Sequence, residues 1–225
     1  MNFIEKQIAF LTKYGPAYLK GALTTIELSL VGVVLGLSLG IVLALMKISK
    51  KKALNFISSA YIEIVRGTPM LVQIMIVYFG LKQIIPDSLG FLKAPMFLCS
   101  LSISLNSAAY IAEIIRSGIN SVDKGQMEAA RSLGLSHKLA MKKIILPQAI
   151  KNILPALVNE FITLIKESSI TYTVGVAELM YVGKNISTST FEFTKPFVYA
   201  ALIYFIMTFS LSKAMGLLER RLAND

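Results

Sequence analysis

The segment that decides the fold comprises residues 128–134, Glu-Ala-Ala-Arg-Ser-Leu-Gly, and is followed nine residues later by Ile-Ile-Leu-Pro at residues 144–147. Its first six residues favour a helix, and Gly134 can end that helix because glycine adopts positive φ without a steric penalty. The residues in between carry a basic face, formed by Lys138, Lys142 and Lys143. The order predicts a short polar helix, a glycine turn and a return path into an apolar helix.

The composition of the whole chain is that of a membrane protein. Of its 225 residues, 55% are apolar, and the mean hydropathy is +0.65, which is too apolar for a soluble domain of this size. The net charge of +10 comes from Lys and Arg beside apolar segments, where anionic lipid and the positive-inside rule explain it without a nucleic-acid partner. Cys99 is the only cysteine, so no disulfide framework exists.

Apolar segments long enough to cross a hydrocarbon core, which takes about 20 helical residues, predict an all-α integral membrane protein. In a single domain we place five spans, at residues 22–46, 56–81, 95–115, 150–167 and 196–215, with a coupling region at 124–138 between the third and fourth. Residues 1–20 lack a signal-peptide pattern and predict an amphipathic helix in the interface. Residues 168–195 predict an external, partly helical loop, and an extra span over 168–183 stays open.

The predicted topology leaves 14 Lys and Arg on one side of the membrane and 8 on the other, with Arg66 inside a span. Because positive charge accumulates on the cytoplasmic side, the N-terminus is expected outside and the coupling region and C-terminus inside. A sixth span would move only the C-terminus.

Two further patterns lie within the first two spans. Gly32, Gly36 and Gly40 recur every four residues, which predicts a smooth helix face for close packing within the chain or against a second copy. In the second span, Pro69 removes a backbone donor and predicts a break. Glu63 and Arg66 are three residues apart, the spacing of an ion pair on one helix face.

The sequence lacks the motifs of an enzyme. It contains no Gly-x4-Gly-Lys-Ser/Thr phosphate loop, no His-Glu-x-x-His zinc motif and no Gly-x-Ser-x-Gly elbow. His137 is the only histidine and is expected at a solvated surface. If the protein does energised work, the energy must therefore come from a partner.

The Glu-Ala-Ala, Gly and Ile-x-Leu-Pro spacing resembles the coupling loop of ABC importer permeases with the type I importer fold. Further motifs are similar to those of the polar amino acid permease family: Glu-x-x-Arg-Gly-Thr-Pro at 63–69, Ser-Ala-Ala-Tyr-x-x-Glu-x-x-Arg at 107–116 and Lys-Glu-Ser-Ser at 166–169. Glu167 and Ser168 stand where relatives often carry Asp and Thr, which is a conservative difference.

This resemblance implies an assembly in the bacterial plasma membrane. The chain would bind two cytoplasmic ATPases that hold ATP and Mg, an extracytoplasmic amino acid binding protein, and a second permease that is either an identical copy or a paralogue. The chain itself would bind no cofactor. The resemblance assigns ATPase coupling to the short helix and its turn, namely Glu128, Ala129, Ala130, Leu133 and Gly134.

Depth along the helices predicts a substrate site. At about 1.5 Å per residue, Arg66 and Glu160 lie roughly 15 Å and 12 Å from the cytoplasmic starts of their spans, within a core about 30 Å thick. We therefore expect both to line one cavity, with Glu63 beside Arg66. Glu113 and Arg116, near the inner end of the third span, are expected to be gate or structural residues.

The charges of that site favour a basic amino acid. Arg66 suits a substrate carboxylate because its planar fork pairs with both oxygens. Glu160 is then free for a cationic side chain, with neutral hydrogen bonds from Asn159 and Thr163. We predict an importer of arginine, lysine or histidine by alternating access. Glutamine or glutamate is the alternative cargo, and a passive channel or membrane scaffold is the alternative class.

Overall fold

The computed structural model describes residues 2–224, and the side chains within that range except those of residues 3 and 218–224. Regular structure in this range is helical. The α-helices are α1 (Phe3–Lys47), α2 (Lys52–Arg66), α3 (Met70–Ile84), α4 (Pro95–Asn120), α5 (Lys124–Ser132), α6 (His137–Ala140), α7 (Leu146–Glu167), α8 (Leu179–Thr190) and α9 (Lys195–Asn224). Two 3-10 helices, Asp87–Lys93 and Ser168–Val174, and a π turn, Met141–Ile145, complete the order.

The glycine strip of α1 packs against α4. A Cβ atom added to Gly32, Gly36 or Gly40 would lie 2.5–2.9 Å from side chains of α4, which are those of Ile103, Ser107 and Ile111 in the same order. Matching four-residue spacings on the two helices therefore bring their axes close together. The predicted close packing is confirmed within the chain, and the strip is not open to a second copy.

We expect Gly40→Ala to destabilise the fold. The new Cβ would lie 2.8 Å from Ile111 Cγ2 and 3.0 Å from the Ala108 carbonyl oxygen, a backbone atom that cannot move alone. Overpacking of this kind costs about 1–3 kcal/mol, so the melting temperature in detergent should fall. Gly80→Ala is the matched control, because no atom lies within 4 Å of its added Cβ. Equal melting temperatures for the two variants would contradict this packing.

The second span is broken where Pro69 predicts it. Helices α2 and α3 meet at an angle of 106°, and Gln73 bridges the break from the first turn of α3. Its Nε2 donates to the carbonyl oxygens of Val65 (2.7 Å) and Thr68 (3.1 Å), while its Oε1 accepts from Asn106 Nδ2 of α4 (2.9 Å). The side chain thereby satisfies carbonyls that the broken helix leaves without partners.

Residues 3–20, predicted as part of a separate interfacial helix, instead form the start of α1. Phe10 is buried and its ring stacks on Tyr199 of α9 with centroids 5.0 Å apart. Tyr18 donates from its hydroxyl to the Pro196 carbonyl oxygen at 2.8 Å. These two aromatic side chains attach this segment to α9, and no break separates it from the first span.

Three described helices, within α1, α4 and α9, are long and apolar enough to cross a membrane, and the bent pair α2–α3 supplies a fourth crossing if it is one span. Helix α7 does not qualify by composition, because Gln148, Lys151, Asn152, Asn159 and Glu160 lie along it. The fifth span at 150–167 therefore stays a prediction. Helix α8 has 12 residues, too few to span, and this length argues against a sixth crossing.

Candidate functional site

The short polar helix predicted before Gly134 is present as α5, and both of its ends are capped. At its start, Asp123 Oδ1 accepts from the Gly125 backbone N–H at 2.8 Å. At its end, the Leu135 N–H donates to the Ala130 carbonyl (3.1 Å) and the Gly134 N–H to the Arg131 carbonyl (3.0 Å), with Gly134 at φ 84°. This pair of bonds is a Schellman motif, which requires a left-handed residue at the Gly134 position. The predicted helix and glycine turn are confirmed.

The chain then returns to the bundle as the sequence order predicts. Ser136 caps α6 by accepting from the Leu139 N–H at 3.3 Å, and His137 is exposed at the start of this helix. The π turn Met141–Ile145 connects α6 to α7 without leaving helical geometry. The short helix α5 is thereby followed by a helical return segment rather than by a long irregular loop.

The five residues assigned to coupling do not all face outward. Glu128 and Ala129 are exposed, and the Leu133 side chain is 84% exposed at the tip of the turn. Ala130 is only 4% exposed, because this side of α5 packs against the π turn and α6. The expectation that Ala130 would contact an ATPase was therefore wrong, and its small side chain instead lets α5 lie close to the return segment.

A polar cleft of about 690 Å³ opens between α1, α2 and α4. It brings together both pairs of charged residues singled out in the sequence, and its main lining residues are Lys47, Glu63, Arg66, Tyr110, Glu113 and Arg116. Lys47 ends α1, and Arg116 lies four residues before the end of α4. The cleft is therefore at the end of the bundle from which α5 emerges.

Within the described side chains, the predicted ion pair between Glu63 and Arg66 is not formed. Arg66 is the last residue of α2, and its guanidinium lies over the Tyr110 ring, with Cζ 5.3 Å from the ring centroid. This cation–π contact joins Arg66 to the neighbouring helix α4. The pair at the same spacing on α4 is formed: Arg116 donates from Nε to Glu113 Oε2 at 2.9 Å and from Nη2 to Glu113 Oε1.

Glu160 is not among the residues that line this cleft, so the two residues expected to share a cavity, Arg66 and Glu160, do not share this one. The Glu160 side chain is on α7 and is 8% exposed, and its Oε1 accepts a hydrogen bond from Ser107 Oγ of α4 at 2.9 Å. Ser107 is three residues before Tyr110, so the partners of Glu160 and Arg66 occupy neighbouring positions on one helix.

The two neutral residues predicted beside Glu160 are placed differently. Asn159 is exposed and lines a cleft of about 280 Å³ between α7 and α9, with Ser212 and Met215 on the opposite side. The Thr163 hydroxyl donates to the Asn159 carbonyl at 3.0 Å within α7. Among the described side chains, no group of three His, Cys, Asp or Glu is placed to hold a metal ion.

Residues 32–224 match the protein family described as the binding-protein-dependent transport system inner membrane component. The chain belongs to this permease family. The permease is 43% identical to the arginine transport system permease protein ArtQ of Bacillus subtilis (strain 168) over 210 residues, 93% of this chain and 94% of that relative. It is 42% identical to the putative glutamine transport system permease protein GlnP of Rickettsia bellii over 217 residues, 95% and 97% of the two chains.

A solved structure gives the same result for the permease fold. The crystal structure of an amino acid ABC transporter with histidines superposes with a TM-score of 0.88 at 43% identity, covering 98% of this chain and 99% of that one. The MetNI methionine ABC transporter, at 18% identity and a TM-score of 0.71, shares the fold. The chain is therefore an amino acid ABC importer permease in the inner membrane. It is not itself an enzyme, since ATP hydrolysis lies in a separate subunit.

The permease also contains a buried carboxylate that the sequence did not single out. Glu178 is fully buried and caps α8 by accepting hydrogen bonds from the Met180 and Tyr181 N–H groups at 2.8 and 2.7 Å. It also accepts a hydrogen bond from the Tyr204 hydroxyl of α9 at 2.6 Å. Burial raises the pKa of this carboxyl group, and the hydrogen bonds oppose the rise. The group fixes α8 to α9. An acidic residue directly before a short helix is the sequence signal that could have predicted this helix cap.

Proposed function

We propose that the permease carries basic amino acids, with Glu160 as the residue that selects the cationic side chain. The buried Glu160 carboxylate carries this proposal: its Oε1 bonds to Ser107, and its Oε2 accepts no hydrogen bond within the described part of the chain. A guanidinium, ammonium or imidazolium group could complete the pairing of a charge that is expensive to leave alone in a membrane. The identity with an arginine permease supports the same cargo class.

The other residues predicted to bind the substrate fall into two groups, one on the same helix as Glu160 and one in the charged cleft. Asn159 and Thr163 are on the same helix and offer neutral contacts along α7. Arg66 and Glu63 contact the cargo later, in the cleft nearer to α5. The cargo would therefore move from a site where Glu160 binds its cationic side chain to a more hydrated, charged cleft. This movement accompanies the change of access from one side of the membrane to the other.

We further propose that the exposed face of α5 receives the ATPase, through Glu128, Ala129 and Leu133. Two ATPase subunits that bind ATP and Mg, a second permease copy and an extracytoplasmic binding protein would complete the importer. In this arrangement the five-span chain has its N-terminus outside and its C-terminus inside, which keeps α5 in the cytoplasm with the positively charged segments.

Glutamine is the second candidate cargo, because the identity with a putative glutamine permease is nearly as high. Glu160 would then accept a hydrogen bond from an amide or from the α-ammonium group. Competition assays separate the two. We expect unlabelled arginine, lysine and histidine to compete with labelled arginine for ATP-driven uptake into proteoliposomes, while glutamine competes weakly. Strong competition by glutamine with none from lysine would assign the permease to glutamine.

A further inference from the structure

The cleft between α1, α2 and α4 contains more charge than its internal pair neutralises. Three cations, Lys47, Arg66 and Arg116, share it with two carboxylates, Glu63 and Glu113. Arg116 and Glu113 are bonded to each other. Within the described side chains, Lys47, Arg66 and Glu63 make no ion pair. Because lipid solvates such groups poorly, they require either water or a charged ligand.

The free charges in the cleft are of the two signs that the backbone groups of a free amino acid require as partners. The Arg66 guanidinium lies over the Tyr110 ring, with Cζ 5.3 Å from the ring centroid, and this cation–π contact holds the group near α4. Arg66 donates no hydrogen bond within the described residues, so its N–H groups can pair with both oxygens of a carboxylate. Glu63, three residues earlier and exposed in the same cleft, provides an acceptor for an ammonium group.

The cleft begins about one helical turn from the Glu160 region and extends toward α5. Ser107, the partner of Glu160, is 13 residues from the end of α4 at Asn120, or roughly 20 Å along the helix. Tyr110, the ring partner of Arg66, is three residues nearer to that end, or roughly 5 Å, and Arg116 is only four residues from it, or roughly 6 Å. A molecule leaving the Glu160 region toward α5 would therefore pass this cleft last.

We propose that the cleft is a second, release-side site that binds the α-ammonium and α-carboxylate groups of amino acids, and that cargo accumulated on the α5 side occupies it and slows further import. Arg66 binds the carboxylate and Glu63 the ammonium. With three cations and two carboxylates, the site carries an excess positive charge and gives no advantage to a basic side chain. It therefore recognises the backbone of many amino acids, unlike Glu160. This inference rests on the proposed import function.

The test uses proteoliposomes that contain the permease and its ATPase, with the α5 side of the permease facing the interior. ATP is enclosed inside the vesicles, and a binding protein is added outside. The vesicles are preloaded with one unlabelled compound, and the initial uptake of labelled arginine is measured. We expect internal arginine and internal glutamine to slow uptake to a similar extent. Agmatine, which lacks the carboxylate, and N-acetylarginine, which lacks the free ammonium, should leave the rate unchanged.

Variants assign the effect to the cleft. Each uptake rate is divided by the rate of the same variant in empty vesicles. For Arg66→Gln, the concentration of internal arginine that halves uptake should rise about tenfold or more, because a charge-assisted pair is lost. Lys51→Gln, which removes an exposed cation outside the cleft, is the matched control and should behave like wild type.

The outcomes distinguish the two proposals. Wild-type uptake that is insensitive to internal amino acids, or equally inhibited by agmatine, overturns the release-side site and leaves the import function standing. Equal loss of inhibition in Lys51→Gln and Arg66→Gln also overturns it. The absence of any ATP-driven uptake by wild type overturns the import function itself, and this inference with it. The analogue measurements need no variant, so misfolding of Arg66→Gln would not remove the test.

Discussion

Gly134→Val is expected to leave the permease in the membrane and to reduce ATP-driven uptake by about fivefold or more. A β-branched residue at the φ of 84° adopted by Gly134 is strained by about 1–3 kcal/mol, which corresponds to a population shift of roughly 5- to 150-fold. No atom lies within 4 Å of the Cβ that the substitution would add. The effect should therefore come from reorientation of the α5 exit and of Leu133, not from a clash within the bundle.

Gly134→Asn is the matched control, because asparagine tolerates the left-handed conformation better than other non-glycine residues. It should retain most of the uptake activity and most of the ATPase association in a pull-down assay. Gly134→Val should lose both while its melting temperature in detergent changes little. Normal uptake by Gly134→Val would remove the coupling role proposed for α5.

Glu160→Gln is expected to reduce arginine uptake about tenfold or more, while glutamine uptake, if present, changes little. The substitution keeps the shape of the side chain and an oxygen for the Ser107 hydroxyl, but it removes the charge that pairs with a cationic cargo. A hydrogen bond to a charged group contributes about 1.5–3 kcal/mol. Substrate-stimulated ATP hydrolysis should fall for arginine to the same extent.

Glu192→Gln is the control for loss of a carboxylate, since Glu192 lies between α8 and α9 and pairs with Lys195 at 3.6 Å. It should transport arginine like wild type. If arginine uptake by Glu160→Gln equals that of wild type, or if the wild-type permease carries only glutamine or glutamate, selection by charge at Glu160 is wrong. Glu160 would then be a structural partner of Ser107.

Features that local sequence determines could be predicted. The α5 helix and its turn follow from helix-forming residues that end at Gly134, and the break of the second span follows from Pro69. The glycine repeat of α1 predicted close packing because removing side chains at a four-residue spacing always clears one helix face. Each of these depends on residues that are neighbours in the chain.

Features that depend on a second helix could not be predicted. Glu63 and Arg66 have the spacing of an ion pair, yet the Tyr110 ring on α4 determines where the guanidinium lies. Depth along a helix placed Arg66 and Glu160 at similar heights, but it did not give the direction in which each side chain faces. Ala130 was misassigned for a similar reason, because α5 has only nine residues and its apolar periodicity is too short to identify the packed face.

The central claim is that ATP hydrolysis by a partner drives amino acid import through this permease. The most direct measurement is accumulation of labelled arginine in proteoliposomes that contain the permease and its ATPase, with the binding protein outside and ATP inside. We predict that internal arginine rises above the external concentration with ATP, and that it does not when a non-hydrolysable analogue replaces ATP or when the binding protein is omitted. Equilibration of arginine across the membrane without ATP would contradict the claim and indicate a passive pore.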